Sequence, residues 1–331
     1  MNVKSLFNAL LVCSVFFLFS CDHPQSKSAQ VILYTAVDEP VARPIISEFE
    51  RQTGISVILR TDAESTKTAG LAERLEAEKS NPQADVWWSN EPFHTINLAQ
   101  QKVLAPYTSP SAASIPPEFK DKDNLWAGTS LRVRVLAVSP KCPISPHSIY
   151  DLANPALKGK ICLSRPTAGT AKGHIAVLYT ALGRENFEKY LTSLKDNQIR
   201  LVGGNSIVAE LVGSGQMLLG ITDNDDVDAA AREGGKLDMV IPDQGATEMG
   251  ALAIPCTAAL VAGAPHQPNA KKLIDYLISQ TVEYQLVDRH FARYSVINPS
   301  ADAKFMKVDY VQAAANMKQA VELALKILEG R

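Results

Sequence analysis

Residues 31–60 restrict the fold more than any other feature, because two β-rich apolar runs are separated there by a single amphipathic helix. "VILYTAV" stops at Asp38-Glu39-Pro40. "PVARPIISEFERQTGI" then places Val41, Ile45, Ile46 and Phe49 at helical spacing and ends at Gly54, and "ISVILR" follows at once. Glycine just past the last periodic residue stops a helix, because it accepts the left-handed backbone that closes the final turn. Two strands joined through a helix run parallel. The alternation continues to the end of the chain. A helix is predicted over "STKTAGLAERLEAEK", capped by Ser65 or Thr66, then a short buried strand over "ADVWWS" and a strand crossing between lobes over "SLRVRVLAVS". Next come strand "GKICLS", helices "GTAKGHIAVLYTALG" and "RENFEKYLTSLKD", strand "IRLVGG", helix "SIVAELVGSG", strand "QMLLGIT" and helix "DVDAAAREGG". "LDMVIP" and "GALAIPCTAALV" close the strands, and "PNAKKLIDYLISQTVEYQLV" opens a helical end. The class is α/β. One of Trp87 and Trp88 should face the core and its neighbour outward, where it could stack on a ligand.

The chain opens with "MNVKSLFNALLVCSVFFLFSC", one Lys followed by an apolar run too short for a typical membrane span. It has the form of a secretory signal, and Leu18-Phe19-Ser20-Cys21 resembles a bacterial lipobox. Residues 1–21 are therefore expected to be a signal peptide ending at a lipidated Cys21, and residues 22–30, "DHPQSKSAQ", a polar tether. That places the folded part in the periplasm or at the cell surface as an anchored lipoprotein. Signal cleavage elsewhere, or a retained anchor, is the plainer alternative. Roughly 300 residues remain beyond the tether, more than one hydrophobic core usually serves, so two lobes are expected.

A formal net charge of -2 gives no basic footprint for nucleic acid. Cys142, Cys162 and Cys256 show no C-x-x-C spacing; Cys142 and Cys162 could pair in an oxidising compartment, or all three could be buried thiols. The six histidines form no i, i+4 pair and no zinc spacing. G-x-S-x-G and H-E-x-x-H are absent, and no S-x-x-K lies in a plausible setting, so nothing supplies a nucleophile with its base. A carboxylate-dependent exported hydrolase is the weaker class left open.

Two stretches carry chemistry. "GITDNDDVDA" places Asp223, Asp225, Asp226 and Asp228 within six residues, directly after a strand. Aspartates cap helices and favour the first turn, each by about 0.3–1 kcal/mol, which accounts for one or two of them. The other reading is a ligand role. An EF-hand is excluded: counting from Asp223, the sixth residue is Asp228 rather than glycine, and the twelfth is Gly234 rather than glutamate. "SRPTAGTAKG" lies between a strand and a helix and is rich in small and hydroxyl residues. Such a turn offers backbone N–H groups to an anion, or is an ordinary loop; the Walker A spacing is missing.

Taken together, "LYTAVDEPVARPIISEFERQTGI", "PQADVWWSNEP", "LRVRVLAVSP", "IYDLANPALKGKICLS", "GNSIVAELVGSGQMLLGITDNDD", "GALAIPCTAALVAGAPHQPNAKKLIDYLIS" and "ARYSVINP" stand in an order and spacing that resemble one family. The chain resembles the periplasmic solute-binding proteins of ABC importers, and within them the ferric-ion-binding group, over nearly all of residues 31–328. The resemblance implies a two-lobed periplasmic-binding-protein fold of type II, with a cleft between lobes joined by crossing strands. Lobe 1 would take residues 31–134 and 256–301, and lobe 2 residues 135–255 and 302–331.

It also implies site positions. With "AAREGG" as the anchor, the family's tyrosine pair falls on Asp225 and Asp226, so the iron-binding phenolates are absent. A family histidine falls on Asp38, and a family glutamate on Asn90 with Glu91 beside it. The positions similar to the anion region are Thr167, Ala168, Gly169, Thr170 and Asn205, and Arg132 and Arg134 match arginines near the cleft. If closure gathers Asp38, Glu91, Asp225 and Asp226, these carboxylates suit a hard cation such as Ca²⁺, Mg²⁺, Mn²⁺ or Fe³⁺, with a synergistic anion on the loop. A cationic amine, or an organophosphate or sugar phosphate, is the alternative for the same cleft. What the resemblance implies is a monomeric binder rather than an enzyme, with no catalytic cofactor and any metal carried as cargo, delivering its solute to an ABC permease and its ATPase.

Overall fold

The computed structural model describes residues 29–61, 68–298 and 303–330. The N-terminal apolar run, Cys21, most of the tether, and Ser65 and Thr66 lie outside them. No helix among the described residues is long and apolar enough to cross a membrane.

The first unit forms as its sequence dictates. β1 (Gln30–Thr35) pairs in parallel with β2 (Ser56–Thr61) through α1 (Glu39–Thr53). Ala42, Ile45, Ile46 and Phe49 are the buried face of α1, and Gly54 ends it at φ 68 with its N–H on the Glu50 carbonyl. α2 (Ala69–Ala77), β3 (Val86–Ser89), α3 (Phe93–Gln100) and β4 (Leu104–Ala105) follow. Trp87 and Trp88 are both fully buried. Trp87 packs in one apolar cluster and Trp88 in the other, so both faces of β3 are covered and neither indole faces outward. This corrects the expectation of one outward-facing tryptophan.

The crossing strand β5 (Ala127–Val138) is buried along its whole length. Its first half pairs with β10 (Ala253–Val261), and from Arg134 onward it pairs with β8 (Leu219–Asp223) and β9 (Asp238–Val240). The sheet therefore runs β2-β1-β3-β10-β5-β8-β6-β7, with β6 (Ile161–Ser164) parallel to both β7 (Arg200–Val202) and β8. The architecture is α/β and two-lobed, and β5 belongs to both halves.

The helices predicted over "GTAKGHIAVLYTALG" and "RENFEKYLTSLKD" form α4 (Gly169–Asp196), a rod interrupted at Gly183, whose φ 71 and ψ 161 are not helical. α5 (Asn205–Gly213), α6 (Asn224–Arg232), α7 (Gln267–Leu277) and α8 (Gln280–Asp288) fall where their periodicity predicts. α9 (Tyr310–Glu329) packs on α4 and α3. Cys142, Cys162 and Cys256 are free thiols. Cys162 packs in one apolar cluster and Cys142 against the other, so the two do not meet.

Candidate functional site

Three strand-to-helix turns converge on one pocket. β6 leads into α4, β7 into α5 and β8 into α6, and because these strands are parallel their C-terminal ends share one side of the sheet. The pocket holds about 100 Å³ and is lined by Ser164, Arg165 and residues 167–170 of the first turn, residues 203–206 of the second, and Asp223 and Asp226 of the third. Asn90 and Arg132 close it from the other half of the sheet.

The first two turns present helix starts without side-chain caps. Ala168 precedes α4 at φ -147, ψ 165, and Gly204 precedes α5 at φ -167, ψ 167; neither residue carries a side-chain acceptor. The first N–H groups of a helix have no carbonyl partner within it, and the dipole leaves them positive. Two such starts on one pocket suit an anion.

Behind them lies a layer of charge. Arg134, 1% exposed, donates through Nη1 to Asp223 Oδ1 at 2.8 Å and to Asn205 Oδ1 at 3.0 Å, and through Nη2 to the Ile221 carbonyl at 3.2 Å. Asn205 donates to Thr170 Oγ1 at 2.8 Å and to Asp223 Oδ2 at 3.0 Å. Arg132 donates through Nη2 to both oxygens of Asp225, at 2.6 and 2.7 Å. Asp226 accepts from Thr222 Oγ1 at 3.0 Å and from the Asp223 N–H at 3.4 Å, the return arm of a helix cap. Two arginines thus face three aspartates.

The two arginine-bound carboxyls are pushed apart. Burial raises the pKa of Asp223, but the charges of Arg132 and Arg134, with the Thr170 hydrogen bond, outweigh it and hold the carboxyl below its usual range. For Asp225, burial and the neighbouring Asp223 charge outweigh Arg132, and the pKa rises to about 6. Two carboxylates sharing one guanidinium cannot both be fully compensated. His174 on α4 is buried, which with the Arg134 charge lowers its pKa to about 3, so it is neutral.

Among the residues singled out from the sequence, the structure brings together Asn90, Arg132, Thr167, Ala168, Gly169, Thr170, Asn205 and Asp226 on the pocket wall. Arg134 and Asp225 stand directly behind it, held through Asp223 and Arg132. Asp38 lies instead on the wall of a neighbouring, larger pocket of about 670 Å³ with Arg232, Asp288, Arg289 and His290. Glu91 is fully buried and turned to α3: its oxygens accept from the Phe93 N–H at 2.7 Å and the His94 N–H at 3.1 Å, with His94 Nδ1 at 2.9 Å. It does not line the pocket.

Asp223 was legible in the sequence only as a helix cap, and here it is the centre of the buried network. Ser164 and Arg165 begin the loop already singled out for its small residues, and Gly203, Gly204 and Ser206 flank Asn205, so proximity in sequence was the signal available for them. Arg165 is tied to Glu329 at the chain's end through Nε at 2.7 Å.

A two-lobed α/β molecule with helix starts and buried charges at the junction of its halves defines the class of extracytoplasmic solute-binding proteins. Comparison with known proteins specifies the family: residues 31–291 match the bacterial extracellular solute-binding protein model, and the chain belongs to that family. The Fe(3+)-binding periplasmic protein of Serratia marcescens is 25% identical over 95% of both chains. A Salmonella typhi periplasmic protein named as a candidate 2-aminoethylphosphonate binder is 29% identical over 64% of this chain and 63% of its own. Among solved structures, the ferric binding protein from Campylobacter jejuni superposes with a TM-score of 0.79 at 22% identity, covering 90% of this chain and 99% of its own, which shows the shared fold.

Proposed function

We propose that this protein is the solute-binding component of an ABC importer and that its cleft takes a small ligand with a phosphate- or phosphonate-type head group. The observation that carries this reading is the pair of helix starts, at Ala168 and Gly204, that open without side-chain caps on one pocket. Their N–H groups and Arg132 receive the head group. The rest of the ligand meets Asp226 and Asn90, which accept from hydroxyl or ammonium groups. The Salmonella relative is named for a molecule of that kind, an ammonium joined to a phosphonate.

A hard cation held by carboxylates is the second reading, favoured by one oxygen each of Asp223, Asp225 and Asp226 lying within 4.8 Å of one another and by the Serratia relative's iron.

In either case the work is capture and delivery rather than catalysis. The lobes divide as residues 31–134 with 256–301 and 135–255 with 302–331, hinged where β5 changes partners. Ligand touching both faces selects the closed form, and a permease with its ATPase opens it. The protein acts as a monomer, exported and held at the membrane through Cys21.

Calorimetry tests the ligand class. Titration with 2-aminoethylphosphonate, fructose 6-phosphate and Fe³⁺-citrate should show saturable one-to-one binding of a phosphorus compound. Asn205→Ala should weaken it by about tenfold, the loss of one buried hydrogen-bonding group. Tight Fe³⁺ uptake with no response to either phosphorus compound contradicts the reading.

A further inference from the structure

Arg132 binds two of the three carboxylates of the acidic cluster, Asp223 and Asp225. Its Nη2 lies 2.6 and 2.7 Å from the two oxygens of Asp225 and 3.0 Å from Oδ2 of Asp223, and its Nε lies 3.2 Å from Asp225 Oδ1. The side chain is 4% exposed, and its guanidinium lies 5.2 Å from the ring centroid of Phe291. Three carboxylate oxygens and an aromatic face fix it in place. The 4.8 Å that encloses one oxygen from each of Asp223, Asp225 and Asp226 is about twice a metal–oxygen distance, so the triad has the dimensions of a cation site. Two of its three members are already turned on a positive charge. A metal ion entering among them would meet the guanidinium at close range, with a repulsion that doubles for a divalent and triples for a trivalent ion. Arginine does not lose its proton in a protein, so no change of pH opens the triad. On its far side, Arg134 holds the remaining oxygen of Asp223 at 2.8 Å.

We propose that Arg132 determines the class of ligand this cleft accepts: its guanidinium is the resident cation of the acidic triad, shuts that triad to metal ions, and keeps the cleft for anionic head groups. The inference deepens the reading given above and rests on it for the anion, but not for the exclusion of metal.

The test uses Tb³⁺ as hard-cation probe and inorganic phosphate as anion probe, on the wild-type protein, Arg132→Gln and Arg132→Lys, with thermal melting as the check of folding. The wild type and the Lys variant, both positively charged, should take up no stoichiometric Tb³⁺. The Gln variant should gain at least about tenfold in Tb³⁺ affinity, and adding Asp225→Asn to it should remove the gain. One-to-one Tb³⁺ uptake by the wild type overturns the inference, as does a folded Gln variant that gains nothing. If the Gln variant fails to fold, the wild type and the Lys variant decide: Tb³⁺ uptake by either overturns the inference, and exclusion by both supports it. The phosphate arm separates the two ideas. A wild type that binds neither probe, beside a Gln variant that gains Tb³⁺, removes the anion reading and leaves the role of Arg132 standing.

Discussion

Asp225 shows how one residue carries two demands. It pairs with Arg132, yet burial and Asp223 raise its pKa to about 6. The folded state therefore holds the Asp225 proton more tightly than the unfolded chain does, near 4. Its contribution to stability is fully present below about pH 4 and is lost as pH rises through 6, by about 1–3 kcal/mol. Asp223, with a lowered pKa, contributes in the opposite sense, losing its stabilisation as pH falls. Melting curves of wild type and Asp225→Asn between about pH 3 and 7 separate the two: the decline of the wild type relative to the variant should fall between about pH 4 and about pH 6, half complete near about pH 5. Parallel curves would show that Asp225 titrates normally. The sequence made Asp225 and Asp226 legible as unusual, because six residues held more carboxylates than a helix cap needs. It did not make their partner legible. Arg132 is 93 positions away on a strand, and its pairing depends on the register of β5 against β8.

At the scale of elements, local periodicity carried most of the reading. Strands and helices alternate where residue spacing predicts, since both patterns are written within a few residues. What depends on distant contacts was not legible. Trp87 and Trp88 point to opposite faces by strand alternation, but both are buried because each face of β3 is covered by its own apolar cluster, and Glu91 turns inward to accept from the first N–H groups of α3. Gly173 is another such case. A Cβ there would lie 2.1 Å from Cε2 of Phe93, whose ring also packs 6.1 Å from that of Tyr310. The closeness of α4 to α3 thus requires glycine, and the buried ring has little room to yield. Gly173→Ala should destabilise the protein by about 1–3 kcal/mol, as measured by denaturant unfolding, and loosen the contact between α3 and α4. An unchanged midpoint would show that Phe93 moves freely.

For the whole molecule, the decisive feature is that the two halves of the sheet share β5, with the candidate pocket beside the point where it changes partners. Arg132 lies one residue before the end of the pairing of β5 with β10, and Arg134 begins its pairing with β8. The two buried arginines of the candidate site therefore sit on the strand shared by both halves of the sheet. The larger pocket around Asp38 joins β1, α6 and α8, and His290 Nδ1 lies 3.5 Å from Asp228 Oδ2 across that gap.

The most direct measurement is native mass spectrometry of the protein purified from the compartment in which it works, with elemental analysis of the same sample. The account predicts an organic mass containing phosphorus, about one per chain, and no metal in that proportion. One metal ion per chain and no phosphorus would contradict it.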